Sequence, residues 1–440
     1  MVWLRNDLRF TDHQAFYEAC SQYDRVLAYY TFEPNLYSDQ QWGFKKISAL
    51  RVQFILQTLQ ALKEVLNKNN ISLIVEQRVA AEGIPFWVQH YDVVQLYYQK
   101  EWTFEEQEIQ TQLENRLPEK VRITSYYDQF LYHPDDLPVT LEQLPEVFTV
   151  FRKRAEKEMK VRPLIPMPKM LQQASLLEQD FPLPTLSDFG MQPKKLSSQS
   201  VFPFSGGTAA AKDRMASYFW KTNKLSFYKK TRNGLLGTDY SSKFSPWLAN
   251  GALSSRMIYW EVKKYEAQVK KNDSTYWLIF ELIWRDYFKY ISLKHGNAIF
   301  LQGGILNRSY DWNTDPSSVE RWVTGRTPEP FVNANMLELQ QTGFMSNRGR
   351  QNVASYFAKN LKLDWRIGAA YFEEQLIDYD VHSNWCNWMY VAGVGNDPRD
   401  RVFNVAFQAE RYDPHKTYQQ RWLQNNFSND RTTDFRRPTE

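Results

Sequence analysis

Val26-Leu-Ala-Tyr-Tyr-Thr-Phe32, a helical run over 47–68 and then Ile71-Ser-Leu-Ile-Val75 set the pattern of the first third of the chain. Short runs of β-branched and aromatic residues alternate with segments of helical periodicity. That alternation is the signature of βαβ units and implies a parallel sheet. It continues through 80–90, Val93-Val-Gln-Leu-Tyr-Tyr98, 103–116 and Val121-Arg-Ile-Thr124, and reaches back to a first strand at Met1–Leu4. An α/β domain is therefore expected over residues 1–135. No Gly-x-Gly-x-x-Gly follows the first strand, so this domain lacks the usual dinucleotide phosphate cradle and a ligand in it is not indicated.

Beyond it the composition changes. Residues 161–203 hold seven of the 20 prolines, and 136–203 reads as a long ordered connector. From 204 to 424 the pattern is helical, with runs at Ala209–Trp220, Ser255–Lys270, Ser274–His295, Pro316–Thr324, Phe331–Thr342, Arg348–Asn360 and Trp365–Tyr379. Strand-like alternation is nearly absent there, so the second domain is expected to be all-α. A polar tail follows over 425–440, expected to fray.

The 440 residues suffice for two or three domains, and a 43% hydrophobic share is ample for their cores. Nothing approaches about 18 consecutive apolar residues, and Arg5, Asp7 and Arg9 put charges where a signal peptide needs an apolar run. A membrane partner is not expected, and a cytoplasmic location is. Cys20 and Cys386 are too few for a disulfide framework or a zinc site, which fits a reducing compartment. No histidine spacing suggests a catalytic metal, and no Gly-x-Ser-x-Gly turn suggests a serine nucleophile. A net charge of +4 does not itself argue for nucleic acid, since phosphate affinity depends on clustered cations. The aromatic share is 16%, and 11 of the 15 tryptophans follow residue 200. The second half is built around indoles.

Within that half, Asp378-Tyr-Asp-Val-His-Ser-Asn-Trp-Cys-Asn-Trp-Met-Tyr-Val-Ala-Gly-Val-Gly-Asn-Asp-Pro-Arg399 interleaves carboxylates and amides with Trp385, Trp388 and Tyr390. Such polar residues are seldom buried unpaired, so the stretch points to an aromatic-walled pocket for a flat, hydrogen-bonding ligand. Phe204-Ser-Gly-Gly-Thr208 and Thr238-Asp-Tyr-Ser-Ser-Lys-Phe-Ser245, with Pro246 next, read as helix N-termini. Free amides, small hydroxyls and Lys243 there suit phosphate or pyrophosphate, although plain capping explains either segment alone. Glu281, Trp284 and Arg285 share one helix face, which a surface ion pair beside a core tryptophan would also produce. Asn347, Arg348, Arg350 and Gln351 gather donors at another helix start, or form a solvated capping turn. Phe151-Arg-Lys-Arg-Ala-Glu-Lys-Glu-Met-Lys160 mixes its signs like a solvated face. Trp312, Trp365 and Trp388 carry no meaning from spacing alone.

Taken in order, Arg5-Asn-Asp-Leu-Arg9, the Ser-Gly-Gly segment, 238–246, 281–288, Asn347–Arg350 and 378–399 resemble the photolyase and cryptochrome family over almost the whole chain. Asn347-Arg-Gly-Arg-Gln-Asn-Val-Ala-Ser355 and 378–399 are similar to its DASH branch. The resemblance implies a Rossmann-like N-terminal α/β domain, a long linker and an all-α domain holding U-shaped FAD. By motif match, Tyr228 and Ser241, Ser242, Lys243, Phe244 and Ser245 would contact its phosphates and ribityl chain. Arg285, Arg350, Asp378, Asp380 and Asn384 would surround the isoalloxazine, with Asn384 facing N5. A neutral amide there suits an anionic reduced flavin.

The implied reaction is light-driven splitting of cyclobutane pyrimidine dimers by an electron from reduced FAD. Glu281 would bind the dimer, Trp284 and Tyr390 would pack on the flipped bases, and Asn347, Arg348 and Gln351 would line the DNA pocket. Trp388, Trp365 and Trp312 match the family's photoreduction triad, from flavin to surface. Single-stranded DNA is the implied substrate, with duplex DNA or RNA as further candidate partners, and the protein itself is expected to be a monomer. A folate antenna, 5,10-methenyltetrahydrofolate, is implied near Glu142 and Gln143, although the glutamate at the aligned position is replaced by Gln143. The alternative reading is a blue-light photoreceptor that binds nucleic acid without efficient repair; an electron-transferring flavoprotein without a nucleic-acid role is a third.

Overall fold

The computed structural model describes residues 1–172, 176–179, 181–397 and 399–424, so the expected polar tail at 425–440 lies outside the described residues. Five strands, β1 (Val2–Trp3), β2 (Leu27–Phe32), β3 (Ser72–Gln77), β4 (Gln95–Gln99) and β5 (Arg122–Tyr126), form one sheet in the order β3-β2-β1-β4-β5. All its pairings are parallel. The first strand is shorter than its apolar run implied, because only Val2 and Trp3 pair on both sides. Helices α1 (Gln14–Gln22), α2 (Ala49–Lys68), α3 (Ala80–His90) and α4 (Phe104–Arg116) make the crossovers. They cover both faces, with Val2, Ala28 and Leu73 in one core and Trp3, Tyr29 and Ile74 in the other. Strands buried on both faces read as continuous apolar runs, which is why their pattern was legible.

The strand order reverses beside β1. In open α/β sheets, ligands settle in the crevice outside the carboxyl ends of the strands at such a point. Here that crevice is closed over by the helical half of the chain.

Helix α5 (Phe148–Glu158) lies within the stretch read as a connector. Its charged face carries Arg152–Glu156 and Arg154–Glu158 pairs, and its other face sets Phe148 and Phe151 against Trp284, Tyr287 and Tyr290. The helical body continues with α6 (Thr208–Ala216), α7 (Tyr228–Thr231), α8 (Ser245–Ala249), α9 (Ser255–Gln268), α10 (Asp273–His295), α11 (Pro316–Val323), α12 (Pro330–Thr342) and α13 (Asn347–Ser355). Helices α14 (Trp365–Gln375), α15 (Val381–Ala392), α16 (Val405–Tyr412) and α17 (Thr417–Leu423) complete it.

Buried polar contacts lock the halves together. Arg256 on α9 donates to Asp12 Oδ1 at 3.0 Å and to Asp128 Oδ1 at 2.6 Å, while Arg9 donates to Asp128 Oδ2 at 2.9 Å. Asp286 on α10 accepts from the amides of Leu131 and Tyr132. Trp102 Nε1 donates to Ser292 Oγ.

Candidate functional site

Two adjoining cavities, of about 550 and 100 Å³, open between α8, α10, α13 and α15. Both are walled by Asn347, Arg350, Gln351 and Asp378. The larger is within the size of ordinary small-molecule sites. Tyr228, Ser241, Ser242, Lys243, Phe244, Ser245 and Arg285 line it, and so do Glu281, Trp284 and Tyr390. Asp380, Asn384 and Trp388 line the smaller lobe. Residues spread over more than 160 positions therefore meet in one space.

Each wall has a local cause. Arg214 on α6 holds the serine loop by donating to the carbonyls of Thr238, Ser241 and Ser242 and to Asp239 Oδ1. That leaves the serine hydroxyls to the cavity. Arg350 Nη2 grips Asp378 at 2.8 and 3.0 Å, and its Nε is fixed by the Met345 carbonyl. Asp380 caps α15 through the Ser383 amide. Burial works against its charge, but Lys289 at 3.1 Å and Arg285 at 3.7 Å outweigh it and hold the carboxyl below its usual range. Around the lobe, three cations thus face two carboxylates, Asp378 and Asp380. Asn384 donates Nδ2 to the Ala369 carbonyl at 3.0 Å, which turns its Oδ1 into the atom on offer.

On the opposite side, Trp284 stacks on Phe148 with centroids 3.5 Å apart and meets the Tyr390 ring edge-on at 6.0 Å. Glu281 takes Arg232 Nη1 at 2.5 Å. Burial raises the Glu281 pKa, and the Arg232 cation opposes that rise.

Several expectations need correction. Gly206 and Gly207 spend their amides on Gln57 and Thr58 of α2, and Thr208 donates to Ala252, so the Ser-Gly-Gly segment is a packing joint and lines neither cavity. No side chain caps α8, which is a single turn. Lys243 lines the cavity with a buried Nζ that has no hydrogen-bond partner among the described residues. Its backbone is left-handed at φ 65°, the residue is 2% exposed, and Nζ lies 3.1 Å from the Tyr240 ring centroid. Burial draws its pKa well below the normal value. Arg348 faces away from both cavities to Asn233, Gln408 and the Tyr412 ring, clamping α13 to α16. Glu142 and Gln143 are exposed and line no cavity described here.

Trp388 and Trp365 are buried, and Trp312 is partly exposed. Trp388 lines the small lobe and packs over Gly368 of α14, where a Cβ would lie 2.2 Å from its Cη2. Trp365, one turn back on α14, is fully buried and donates Nε1 to the Gln302 carbonyl at 2.9 Å. A bridge between Asn313 and Leu363 brings the partly exposed Trp312 beside the start of α14. Sequence reasoning missed Arg214 and Arg232. It also missed a third cavity, of about 620 Å³, at the carboxyl ends of β1, β2 and β4 against α10 and α15. Only the strand order signals it.

The chain is 44% identical to a cryptochrome DASH of Gloeobacter violaceus over 96% of its length and 85% of the relative's. The chain belongs to the photolyase and cryptochrome family, in its cryptochrome DASH branch. Two family models agree: DNA photolyase matches residues 1–170, and the FAD binding domain of DNA photolyase matches 277–433. Among solved structures, a Synechocystis cryptochrome superposes with a TM-score of 0.92 at 44% identity, covering 96% of this chain and 88% of that one. An archaeal photolyase from Sulfolobus tokodaii, described with two FAD molecules, shares the fold alone, with a TM-score of 0.76 at 24% identity over 96% and 89% of the chains. Family membership thus makes the helical half an FAD-binding domain. The donor set fits that cofactor: serine hydroxyls, the guanidiniums of Arg285 and Arg350 and the neutral Asn384 amide line the two adjoining cavities.

Proposed function

We propose that the protein uses blue light to repair cyclobutane pyrimidine dimers, mainly in single-stranded DNA. The observation that carries this reading is that Glu281, Trp284, Asn347, Gln351 and Tyr390 line the same cavity as the residues suited to FAD. FAD bound there in its reduced form would supply the photoexcited electron donor for ring splitting. The chain's part is positioning and electrostatics. Arg350 and Arg285, which line the cavity, would balance the charge of the reduced ring, and Lys289 neutralises Asp380 from the side of the cavity between the halves. Asn384 offers Oδ1 to a donor on the ring edge. Trp284 and Tyr390 give two nearly perpendicular aromatic faces to bases turned out of the stack. Turning them out costs a few kcal/mol, least in single strands.

The test compares repair of a thymine dimer in single and double strands by protein with chemically reduced FAD. Rapid repair of the single strand and slow repair of the duplex are expected. Glu281→Ala should lower repair by about ten- to a hundredfold, the roughly 1.5–3 kcal/mol of a hydrogen bond to a charged group. Loss of neither strand's dimer under light would reject the proposal.

Trp388, Trp365 and Trp312 carry the hole outward when oxidised FAD is photoreduced. Gly368→Ala tests the first step, because its methyl must displace the Trp388 ring. The overpacking should cost about 1–3 kcal/mol, partly offset by up to about 1 kcal/mol of helix propensity, and photoreduction should slow. Unchanged urea midpoint and unchanged bleaching of FAD would refute this role for the Trp388 contact.

An antenna, a folate by family likeness, is assigned to the 620 Å³ cavity rather than to Glu142 and Gln143. Glu33, Glu101 and Glu106 face it and suit the amine and ring N–H groups of a pterin. Burial lifts the Glu106 pKa to about 7.

A further inference from the structure

Trp365 has a ring neighbour that the outward route does not use. Trp385 meets it edge-on, with centroids 5.9 Å apart and planes at 76°. Trp385 is 8% exposed and lines the cavity between the two halves of the chain, not the FAD cavities. Its Nε1 donates to Glu373 Oε2 at 3.3 Å and to the Tyr379 hydroxyl at 3.2 Å. Glu373 lines the same cavity.

The other indoles of the route are placed differently. Trp365 gives its N–H to a carbonyl, which cannot take a proton. Trp312 reaches α14 through a backbone bridge, and its Nε1 is buried without a hydrogen-bond partner among the described residues. An oxidised indole is far more acidic than the neutral one, and losing its N–H proton prevents the electron from simply returning. Only where a base is already hydrogen-bonded can that loss be immediate.

We propose that Trp385 is a second exit for photoreduction, passing the hole from Trp365 to the cavity between the domains, with Glu373 accepting the indole proton. The inference rests on Trp388 and Trp365 being the donors nearest the flavin. In the step, one electron moves from Trp385 to oxidised Trp365, which returns to its neutral closed-shell form. The Nε1–H bond of Trp385 breaks and its proton forms an O–H bond on Glu373, leaving a neutral indolyl radical. A small thiol entering the cavity then gives a hydrogen atom to Nε1. Glu373 releases its proton to water, and two thiyl radicals from two turnovers join as a disulfide. Burial raises the Glu373 pKa, which makes it a better base than an exposed glutamate. The chain therefore has two outlets, one to its outer surface at Trp312 and one to the cavity where a second ligand is expected.

The experiment uses the full chain loaded with oxidised FAD, under blue light with a dithiol. FAD content and urea midpoint are checked for each variant, and aromatic replacements keep the packing. Trp312→Phe should retain photoreduction, and Trp312→Phe with Trp385→Phe should fall to the level of Trp365→Phe. Transient absorption supplies a second readout. In Trp312→Phe the deprotonated indolyl band should appear, and adding Glu373→Gln should leave the protonated radical cation in its place. Loss of photoreduction in Trp312→Phe alone would overturn the proposal, as would an unchanged rate in the double variant or a deprotonated band that persists without Glu373. If Trp388→Phe and Trp365→Phe are both without effect, the tryptophan route itself is wrong, an outcome distinct from failure of the branch.

Discussion

Replacing Arg256 with alanine is expected to destabilise the protein by about 3–5 kcal/mol, the cost of breaking a buried ion pair from one side. Asp12, Asp128, Arg9 and Arg256 are all nearly inaccessible, at 2%, 6%, 1% and 3% exposure. Two carboxylates and two guanidiniums balance. Without Arg256, Asp12 keeps its hydrogen bonds from Ser254 and the Ile165 amide but loses its cation, and Asp128 retains its ion pair with Arg9. The remaining charge of −1 sits at the joint between the sheet and α9. Urea unfolding of the FAD-loaded protein measures the effect through its midpoint and slope. Adding Asp12→Asn to Arg256→Ala should recover part of the loss, because a neutral amide no longer needs the cation. A midpoint unchanged in Arg256→Ala would show that the joint does not depend on the pair.

The parts of this architecture that could be read in advance are those with a local periodic cause. The parallel strands are buried on both faces, so Leu27–Phe32, Ser72–Gln77 and Gln95–Gln99 stand out as apolar or aromatic runs. The long helices declare themselves through amphipathic spacing, and Glu281, Trp284 and Arg285 fall in one cavity because they share a face of α10. What could not be read depends on partners chosen across the fold. Ser-Gly-Gly amides suit a phosphate or a side chain equally, and Gln57 and Thr58, 149 positions away, decide the matter. Lys243 has the right charge for phosphate, but its left-handed backbone and the rings of Tyr240 and Phe344 take it out of solvent. Arg348 and Arg350 lie on the same helix start two residues apart, hence on different faces; one clamps Tyr412 and the other grips Asp378. Arg232 was invisible because its carboxylate, Glu281, lies 49 positions further on.

Arg350 is also where loss of a single side chain should cost most in cofactor binding. Its guanidinium is the ion-pair partner of Asp378, whose side chain is only 2% exposed. It borders both lobes of the FAD cavity. Arg350→Ala removes a cation from the ring's surroundings and leaves the buried Asp378 carboxylate without its ion-pair partner. Two negative charges, that carboxylate and an anionic reduced flavin, would then lie together without the cation that separates them. Truncating one partner of a buried charge pair costs roughly 2–5 kcal/mol, so the FAD dissociation constant should rise by about 30- to several-thousandfold. Fluorescence of FAD released on dilution measures it. Arg350→Lys keeps the charge but cannot bond Met345 and Asp378 at once, and should fall between the two. Asp378→Asn added to Arg350→Ala should tighten FAD again, because the repulsion disappears with the carboxylate. If that double variant binds no better than Arg350→Ala alone, the guanidinium acts through packing on Phe344, 5.5 Å from its ring centroid, and not through charge.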